Sequence, residues 1–262
     1  MTTVQDILEF IESLAPQYMK YEWDRVGLNC GHAQAAVTKI LVALDPFAEA
    51  IAEAKALGAE LLVTHHALIW EGGFVNDSTD WGKHTLALIE NGIAHINAHT
   101  NLDCAPGGVN DVLAQRLGLT DISVVSPLGV DGENRPYGLL RMGNVPEQSM
   151  DAFLHTVKTA LGCDGLRYVN PTNAVRRVAV GGGSCGSDMM DAYAAGCDTF
   201  VTADIKYNQF RTAYDLGMNL IDAGHFHTEN PAMTVLAEKI AARFPEITVK
   251  ISENHRDPMK FY

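Results

Sequence analysis

Histidine and carboxylate side chains in three segments of this chain have the residue types that bind divalent metal ions. The candidate ligands are His65, His66, Asp103, His225 and Glu229. Imidazole nitrogens and carboxylate oxygens suit zinc, iron and manganese alike, so the ligand types do not name the metal. Five such groups are more than one four-coordinate ion needs, and they are the right number for two ions. The set therefore predicts two divalent ions per chain.

A pair of divalent ions would give the chain hydrolytic chemistry. Two cations about 3.5–4 Å apart can bind water between them, lower the pKa of that water and present hydroxide to an electrophile. The residue types therefore favour metal-dependent hydrolysis as the reaction class.

Each segment also has an ordinary structural interpretation. A pair such as His65-His66 commonly lies in a loop or packs in a core, and an aspartate such as Asp103 commonly caps a turn. Successive strand side chains point to opposite faces of a sheet. The two histidines therefore share one site only if the backbone turns between them, and otherwise each would serve a different ion. The presence of several ligand types at several strand ends favours the metal interpretation.

The candidate ligands follow predicted strands. Residues 40–64 predict a strand, a helix and a second strand that ends at the histidine pair, which is a βαβ unit with a right-handed crossover. Further strands are predicted at residues 93–100 and 219–224. Open α/β sheets bind ligands at the carboxyl ends of their strands. The three segments are therefore expected at strand ends.

The sequence predicts loops for the polar residues at two of these strand ends. Residues 99–111 contain proline, glycines and asparagine, which favour a turn-rich loop that places Asp103 outside any helix. Pro231 suits a first helical turn, so Asn230 is predicted as the N-cap of a helix that runs to about Phe244. His225 to Glu229 are then expected in the preceding loop.

The predicted fold class is α/β, with two α/β domains whose mostly parallel sheets are flanked by helices. A change to short apolar runs near Val125 predicts the boundary between them. The first domain is predicted to comprise residues 1–125 plus 226–262 and to carry most metal ligands, and the second to comprise residues 126–225. The metal site is expected at strand ends in the interdomain cleft.

A glycine-rich segment at residues 178–187 predicts a strand, a glycine loop and a helix. This arrangement could cradle an anion at a helix N-terminus. It lacks the lysine of a Walker A loop and the spacing of a dinucleotide fingerprint. A tight turn in which small residues permit close packing is an equal alternative.

Composition limits the class of partner. The 262 residues include 32 acidic and 19 basic side chains, and this net charge of -13 argues against a nucleic-acid groove. Five cysteines without a C-x-x-C pair indicate free thiols in a reducing compartment. The sequence shows neither a signal peptide nor an apolar run of about 18 residues, so we expect a cytoplasmic protein with no membrane span.

Six motifs together resemble a known family, the dinuclear-metal toroidal hexamers named GTP cyclohydrolase 1 type 2 homologs. The motifs lie at residues 23–28, 64–66, 98–103, 106–111, 202–207 and 222–229. The resemblance covers nearly the whole chain. It implies that the five candidate residues ligate two metals, that His99 lies close to them and that the chain forms a homohexamer. Ala203 and Asn208 depart from the family pattern, which commonly has glycine and histidine there.

The resemblance implies a metal-dependent hydrolase of a nucleotide-like or other small molecule, related in name to a GTP cyclohydrolase. Opening a guanine imidazole ring needs activated water and a proton donor, and the sequence indicates no guanine pocket. The alternatives are a non-catalytic metal-binding or metal-allocating protein, and an assembly or regulatory partner.

Two further histidines, His99 and His227, are predicted to lie near the ions. An imidazole with an unperturbed pKa of about 6.5 exchanges protons near neutral pH. Such general acid–base help typically contributes about 100- to 10,000-fold, so we predict that one of them transfers the proton in hydrolysis. The alternative is that His99 orients Asp103 and that His227 faces solvent. Four histidines without such neighbours are predicted to be surface residues: His32, His84, His155 and His255.

Overall fold

The computed structural model describes residues 1–70 and 72–262. Glu71, the first residue of a loop predicted from Glu71 to Asp80, lies outside the described residues. The chain forms two compact units, which comprise Met1–Leu102 with Met233–Arg256 and Asp103–Ala232 with Asp257–Tyr262.

Helices and strands alternate along most of the chain. The helices are α1 Val4–Leu14, α2 Ala48–Leu57, α3 Asp80–Glu90, α4 Thr100–Cys104, α5 Val109–Arg116, α6 Met150–Leu161, α7 Met189–Ala194, α8 Tyr207–Leu216 and α9 His225–Arg243. The strands are β1 Gly27–Cys30, β2 Lys39–Ala43, β3 Leu61–Thr64, β4 Ala94–Asn97, β5 Thr120–Val125, β6 Gly129–Val130, β7 Pro136–Tyr137, β8 Leu140–Ser149, β9 Arg167–Val169, β10 Ala174–Val180, β11 Thr199–Thr202, β12 Asn219–Asp222 and β13 Thr248–Ile251. No helix in the described part of the chain is long and apolar enough to cross a membrane.

The first unit is built on a mostly parallel sheet. Its strand order is β1-β4-β3-β2-β13, and only the β1–β4 pair is antiparallel. Every residue of β3 and β4 is buried, as expected for parallel strands that are covered on both faces. The predicted βαβ unit is confirmed as β2, α2 and β3, and Leu41, Leu62 and Leu88 pack in one core around it.

The second unit contains a six-stranded mixed sheet with the order β5-β8-β10-β11-β12-β9. Strands β10, β11 and β12 are parallel, and the outer pairs are antiparallel. Buried apolar residues such as Phe153 and Phe200 pack against it. These layers confirm the α/β class with helices flanking the sheets.

The units divide the chain at other residues than the predicted domain boundary near Val125. Strand β5 pairs with β8 and therefore belongs to the second sheet. Residues 103–125 accordingly pack with the second unit rather than with the first. The change in composition lies at the end of β5, but it does not indicate which sheet β5 joins. Strand pairing is a long-range property that local composition does not record.

Two predicted loops are helical. Asp103 lies in α4, whose first turn is capped by a residue far away in sequence, because the Thr100 amide and hydroxyl both donate to Asp24 Oδ2. His225 to Glu229 lie in the first turns of α9, which continues through Pro231. A proline inside a helix removes its own amide donor. Here the helix tolerates that loss, so the prediction of a helix start at Asn230 was wrong.

A buried arginine fixes the chain that follows Asp103. Arg141 in β8 is 1% exposed and donates from Nε and Nη2 to the two carboxylate oxygens of Asp111, at 2.7 and 3.1 Å. Its guanidinium also donates to the carbonyls of Gly138, Cys104 and Ala105. These bonds hold the segment between α4 and α5 in one conformation.

We expect Arg141→Met to lower the free energy of unfolding by about 3–5 kcal/mol, because it leaves a partly buried carboxylate and several carbonyls without their donor. The matched control is Arg176→Met, since Arg176 and Glu147 form an ion pair with both side chains more than 60% exposed. That change should cost about 0–1 kcal/mol. Urea unfolding measures both, and equal losses would contradict a stabilising role of the buried pair.

Candidate metal centre

The chain turns sharply between His65 and His66. The amides of both residues donate to one acceptor, the Leu44 carbonyl, at 3.1 and 3.0 Å. Consecutive amides in a regular strand point to opposite sides, so the strand geometry ends after Thr64. The two imidazole centroids lie 5.0 Å apart. Both side chains can therefore address one site.

A histidine that the sequence did not single out supports this turn. The Thr64 hydroxyl donates to the His66 carbonyl at 2.6 Å and lies 2.7 Å from His95 Nε2. Because the hydroxyl has only one proton to donate, His95 must donate from Nε2. Burial lowers the pKa of His95 to about 3, which keeps this imidazole neutral. His95 lies inside β4, where a histidine gives no signal of its role.

The orientation of His65 follows from the hydrogen bond of one ring nitrogen. Nδ1 of His65 lies 2.8 Å from the Ala98 carbonyl, which can only accept, so Nδ1 carries the proton. The unprotonated Nε2 is then the nitrogen that can ligate a metal. His65 is fully buried, which restricts the ring to this orientation.

His66 and His99 are oriented by carboxylates instead. Nδ1 of His66 lies 2.6 Å from Asp45 Oδ1, and Nδ1 of His99 lies 3.0 Å from Asp24 Oδ1. Burial acts to raise the pKa of Asp24, but hydrogen bonds from His99 and Thr100 outweigh it and lower this pKa to about 2. Asp24 is therefore ionised over the physiological pH range, and it favours a proton on the Nδ1 atom that faces it.

The three imidazoles form a cluster within the first unit. Their centroids are 5.0 to 5.5 Å apart. One ring nitrogen of each of His65, His66 and His99 lies within 4.8 Å of the others, which is close enough for a shared cation. His99, predicted as a proton-transfer residue, thus belongs to a potential ligand group. The rings of Trp23 and Trp70 lie edge-on to His99 and form an aromatic rim on one side of it.

The second unit brings together two other predicted ligands. His225 and Glu229 are one helical turn apart on α9, and Nε2 of His225 lies 3.0 Å from Glu229 Oε2. Nδ1 of His225 lies 2.7 Å from Asp204 Oδ2. Asp204 has a left-handed backbone conformation, with φ of 55°, and belongs to the 202–207 motif. Histidine Nδ1 again faces an oxygen partner.

The glycine loop leaves room for the His225 and Glu229 side chains because its glycines carry no side chain of their own. A Cβ atom on Gly183 would lie 2.1 Å from Glu229 Oε1 and 3.0 Å from His225 Nε2. The Gly183 amide donates to the Thr228 hydroxyl oxygen at 3.0 Å. Of the two interpretations of this segment, the structure supports close packing, because Gly183 lies so close to the Glu229 carboxylate that a Cβ atom has no room there.

The remaining predicted ligand, Asp103, is 5% exposed in the second unit. The Asn110 side chain donates to the Asp103 carbonyl at 3.2 Å and accepts from the Gly182 amide at 2.7 Å. Asn110 is fully buried and therefore links the end of α4 to the glycine loop. The 106–111 motif contains this residue, although its spacing did not indicate the role.

His227 lies on the other side of α9 from His225 and Glu229, as expected for a residue two positions from each. Its Nδ1 is 3.3 Å from the Leu161 carbonyl, and its Nε2 is 3.2 Å from Asp257 Oδ2. The structure thus places His227 against polar groups of its own unit.

His255 is not the surface residue that the sequence predicted. It is 6% exposed, and its two ring nitrogens face Asp45 and Glu49. The correction has a physical cause. Strand β13 joins the first sheet beside β2, which brings the C-terminal segment to the residues that follow β2.

We expect Gly183→Ala to be more destabilising than Gly196→Ala. Both glycines have left-handed φ values, 63° and 79°, so both changes cost about 1–2 kcal/mol of backbone strain. A Cβ on Gly196 meets no atom within 4 Å, whereas one on Gly183 overlaps Glu229. Chemical denaturation should show an additional loss of about 1–3 kcal/mol for Gly183→Ala. Equal losses would contradict the close packing of the glycine loop.

Comparisons with known proteins agree over the length of the chain. Residues 2–258 match the family model described as Duf34/NIF3 (NGG1p interacting factor 3). A GTP cyclohydrolase 1 type 2 homolog from Clostridium perfringens is 34% identical over 98% of this chain and 99% of that protein. A protein of the same description from Lactococcus lactis is 34% identical over 99% of this chain and 98% of its own length. The crystal structure of a Staphylococcus aureus hypothetical protein superposes with a TM-score of 0.89 at 27% identity and covers 99% of both chains.

Proposed function

Because the chain belongs to the Duf34/NIF3 family, we propose that it binds two divalent metal ions and hydrolyses a small, nucleotide-like or other substrate. The proposed metal ligands are His65, His66, Asp103, His225 and Glu229. The observation that carries the proposal is that Nδ1 of His65 and of His66 faces an oxygen acceptor, which leaves Nε2 of each as the ligating nitrogen. Nε2 of His225 faces the carboxylate of Glu229, the other proposed ligand on the same helix.

The donor set fits zinc, iron or manganese. Imidazole and carboxylate ligands suit all three metals. Asp103 and Glu229 are 5% and 3% exposed, and a buried carboxylate is costly unless a cation or strong donors compensate its charge. Two divalent ions would supply that compensation. The names of the curated relatives support the same class, because they describe homologs of a GTP cyclohydrolase.

When bound, such ions polarise the substrate and lower the pKa of water. The residues of the chain would then hold the ions and move the proton. Since Asp24 favours a proton on Nδ1 of His99, the Nε2 atom of His99 is left to accept a proton from water, and Asp24 would stabilise the resulting imidazolium. We propose His99 for this step in preference to His227, whose nitrogens face Leu161 and Asp257.

The metal proposal predicts that Asp103→Ala lowers the metal content of the purified protein while the fold is retained. Metal analysis of the variant and of the parent protein provides the measurement, and circular dichroism provides the control for the fold. Two ions per chain in the variant would remove Asp103 from the ligand set.

Chelation should also lower the melting temperature of the parent protein, since an ion that binds only the folded state stabilises it.

The proton-transfer proposal predicts different effects of His99→Gln and His227→Gln. Glutamine retains hydrogen bonding but cannot titrate, so His99→Gln should lower turnover about 100- to 10,000-fold with metal content unchanged. His227→Gln serves as the matched comparison and should leave turnover nearly intact. Phosphoesters, purine nucleotides and cyclic amides are the substrate classes to screen.

The measurements on these variants distinguish three possibilities: a ligand role of His99, a proton-transfer role, and metal binding without catalysis. Loss of metal together with activity in His99→Gln would identify His99 as a ligand or a support for one. Full activity with unaltered pH dependence in both variants would exclude the proton-transfer role. A protein that binds metal but turns over none of these substrates would favour metal binding or allocation without catalysis.

We propose that the chain assembles as a homohexamer in the cytoplasm. The hexamer follows from the family resemblance and agrees with the closed symmetry of most soluble oligomers. The five cysteines form no disulfide in the described part of the chain, as is usual in a reducing compartment. Light scattering should give a mass of about six times the 28.4 kDa chain. A 28.4 kDa monomer at micromolar concentration would contradict the assembly.

A further inference from the structure

A second histidine lies behind the proposed ligand His66. The Asp45 carboxylate accepts from both imidazoles, with Oδ1 at 2.6 Å from His66 Nδ1 and Oδ2 at 2.8 Å from His255 Nε2. Nδ1 of His255 lies 3.1 Å from Glu49 Oε1. These four side chains form a continuous hydrogen-bonded row within the first unit.

The row fixes the protonation of His255. Both of its nitrogens face carboxylate oxygens, which accept hydrogen bonds, so both nitrogens act as donors and the ring is an imidazolium. Burial opposes this charge, but Asp45 and Glu49 outweigh burial and raise the pKa of His255. A cation beside Asp45 also offsets the negative charge of that buried carboxylate.

The C-terminal segment is held so that His255 reaches Asp45. The Glu53 carboxylate accepts from the Ser252 hydroxyl and from the amides of Glu253 and Asn254. The Ser252 hydroxyl oxygen accepts from the His255 amide at 3.1 Å. Helix α2 therefore fixes the backbone that carries His255.

The surroundings of Asp24, the carboxylate at Nδ1 of His99, differ from those of Asp45 and indicate the role of His255. Asp24, behind His99, is held by the Arg25 amide and by the amide and hydroxyl of Thr100. Asp45 has no such amide donors among the described residues, where its hydrogen-bond partners are His66 and His255. His255 therefore holds the Asp45 carboxylate in place, as backbone amides hold the Asp24 carboxylate.

We propose that His255 is a positioning residue for the metal ligand His66, acting through Asp45. His255 fixes Asp45, Asp45 accepts the Nδ1 proton of His66, and Nε2 of His66 remains the ligating nitrogen. The effect on metal affinity rests on the proposed function, whereas the effect on the His66 tautomer does not. Partners of this kind typically change metal affinity about 10- to 100-fold.

The tautomer of His66 in the metal-free protein is the first test. Nitrogen chemical shifts of the imidazole rings, measured by NMR, should show His66 with its proton on Nδ1. His255→Ala removes both donors and should move His66 toward a mixture of tautomers. His255→Gln retains one amide donor for Asp45 and should give a smaller shift. An unchanged His66 tautomer in His255→Ala would overturn the proposal.

His65 provides a control inside the same molecule. Its Nδ1 proton is held by the Ala98 carbonyl and should stay in place in every variant. A parallel change at His65 would mean that the substitution disturbs the whole histidine cluster, and it would overturn a specific effect on His66. His32→Gln is the external control, because His32 is an exposed histidine of the same unit.

The second test is the affinity for Zn²⁺, measured by competition with a chelator. His255→Ala should weaken binding about 10- to 100-fold, and His32→Gln should leave it unchanged. In a double-mutant cycle with Asp45→Ala, adding His255→Ala should have no further effect, because the two changes break one connection. Additive losses, or an unchanged affinity in His255→Ala, would overturn the proposal.

The two measurements separate failure of the proposed function from failure of this inference. If the parent protein binds none of Zn²⁺, Fe²⁺ and Mn²⁺, the metal proposal fails, and the NMR experiment still decides whether His255 positions His66. If the parent binds Zn²⁺ and the His255 variants bind it equally well, the metal proposal stands and the positioning role is excluded.

Discussion

The site depends on how the Nδ1 protons of its histidines are held. An imidazole offers one nitrogen to a metal when the other carries a proton that has an acceptor. His65, His66, His99 and His225 each have an oxygen near Nδ1, supplied by the Ala98 carbonyl, Asp45, Asp24 and Asp204 respectively. The same constraint therefore fixes four rings by two kinds of neighbour, one backbone carbonyl and three carboxylates.

The parallel sheet of the first unit supplies two of these acceptors, Asp45 and the Ala98 carbonyl. Its register pairs Ala43 with Thr64 and Thr64 with Asn97, so β2, β3 and β4 end side by side. His65 and Ala98 directly follow β3 and β4, and Asp45 lies two residues after the end of β2. Because the strand ends are level, a histidine after one strand meets an acceptor after its neighbour. The geometry of the cluster is a consequence of strand register.

Sequence patterns predicted the elements that depend on local signals. The strand, helix and strand predicted from residues 40–64 form β2, α2 and β3. The α/β class and the family were predicted as well, since several short motifs specified them jointly.

The parts that sequence did not predict depend on contacts between distant residues. Asp24 caps α4 from 76 positions away, and His255 reaches Asp45 across 210 positions. Pro231 favoured a helix start at Asn230, yet α9 begins at His225. No periodicity in the sequence records contacts over such separations, and α9 begins before the position that the local preference of Pro231 favoured.

The central claim is that histidine Nε2 atoms and buried carboxylates bind divalent metal, and anomalous X-ray diffraction from crystals of the purified protein tests it most directly. Data collected on both sides of the zinc, iron and manganese absorption edges would identify the element and its position. The account predicts two anomalous peaks per chain, each within about 2.0–2.2 Å of imidazole or carboxylate ligands from the proposed set. Crystals of metal-loaded protein without a peak next to His65 or His66 would contradict it.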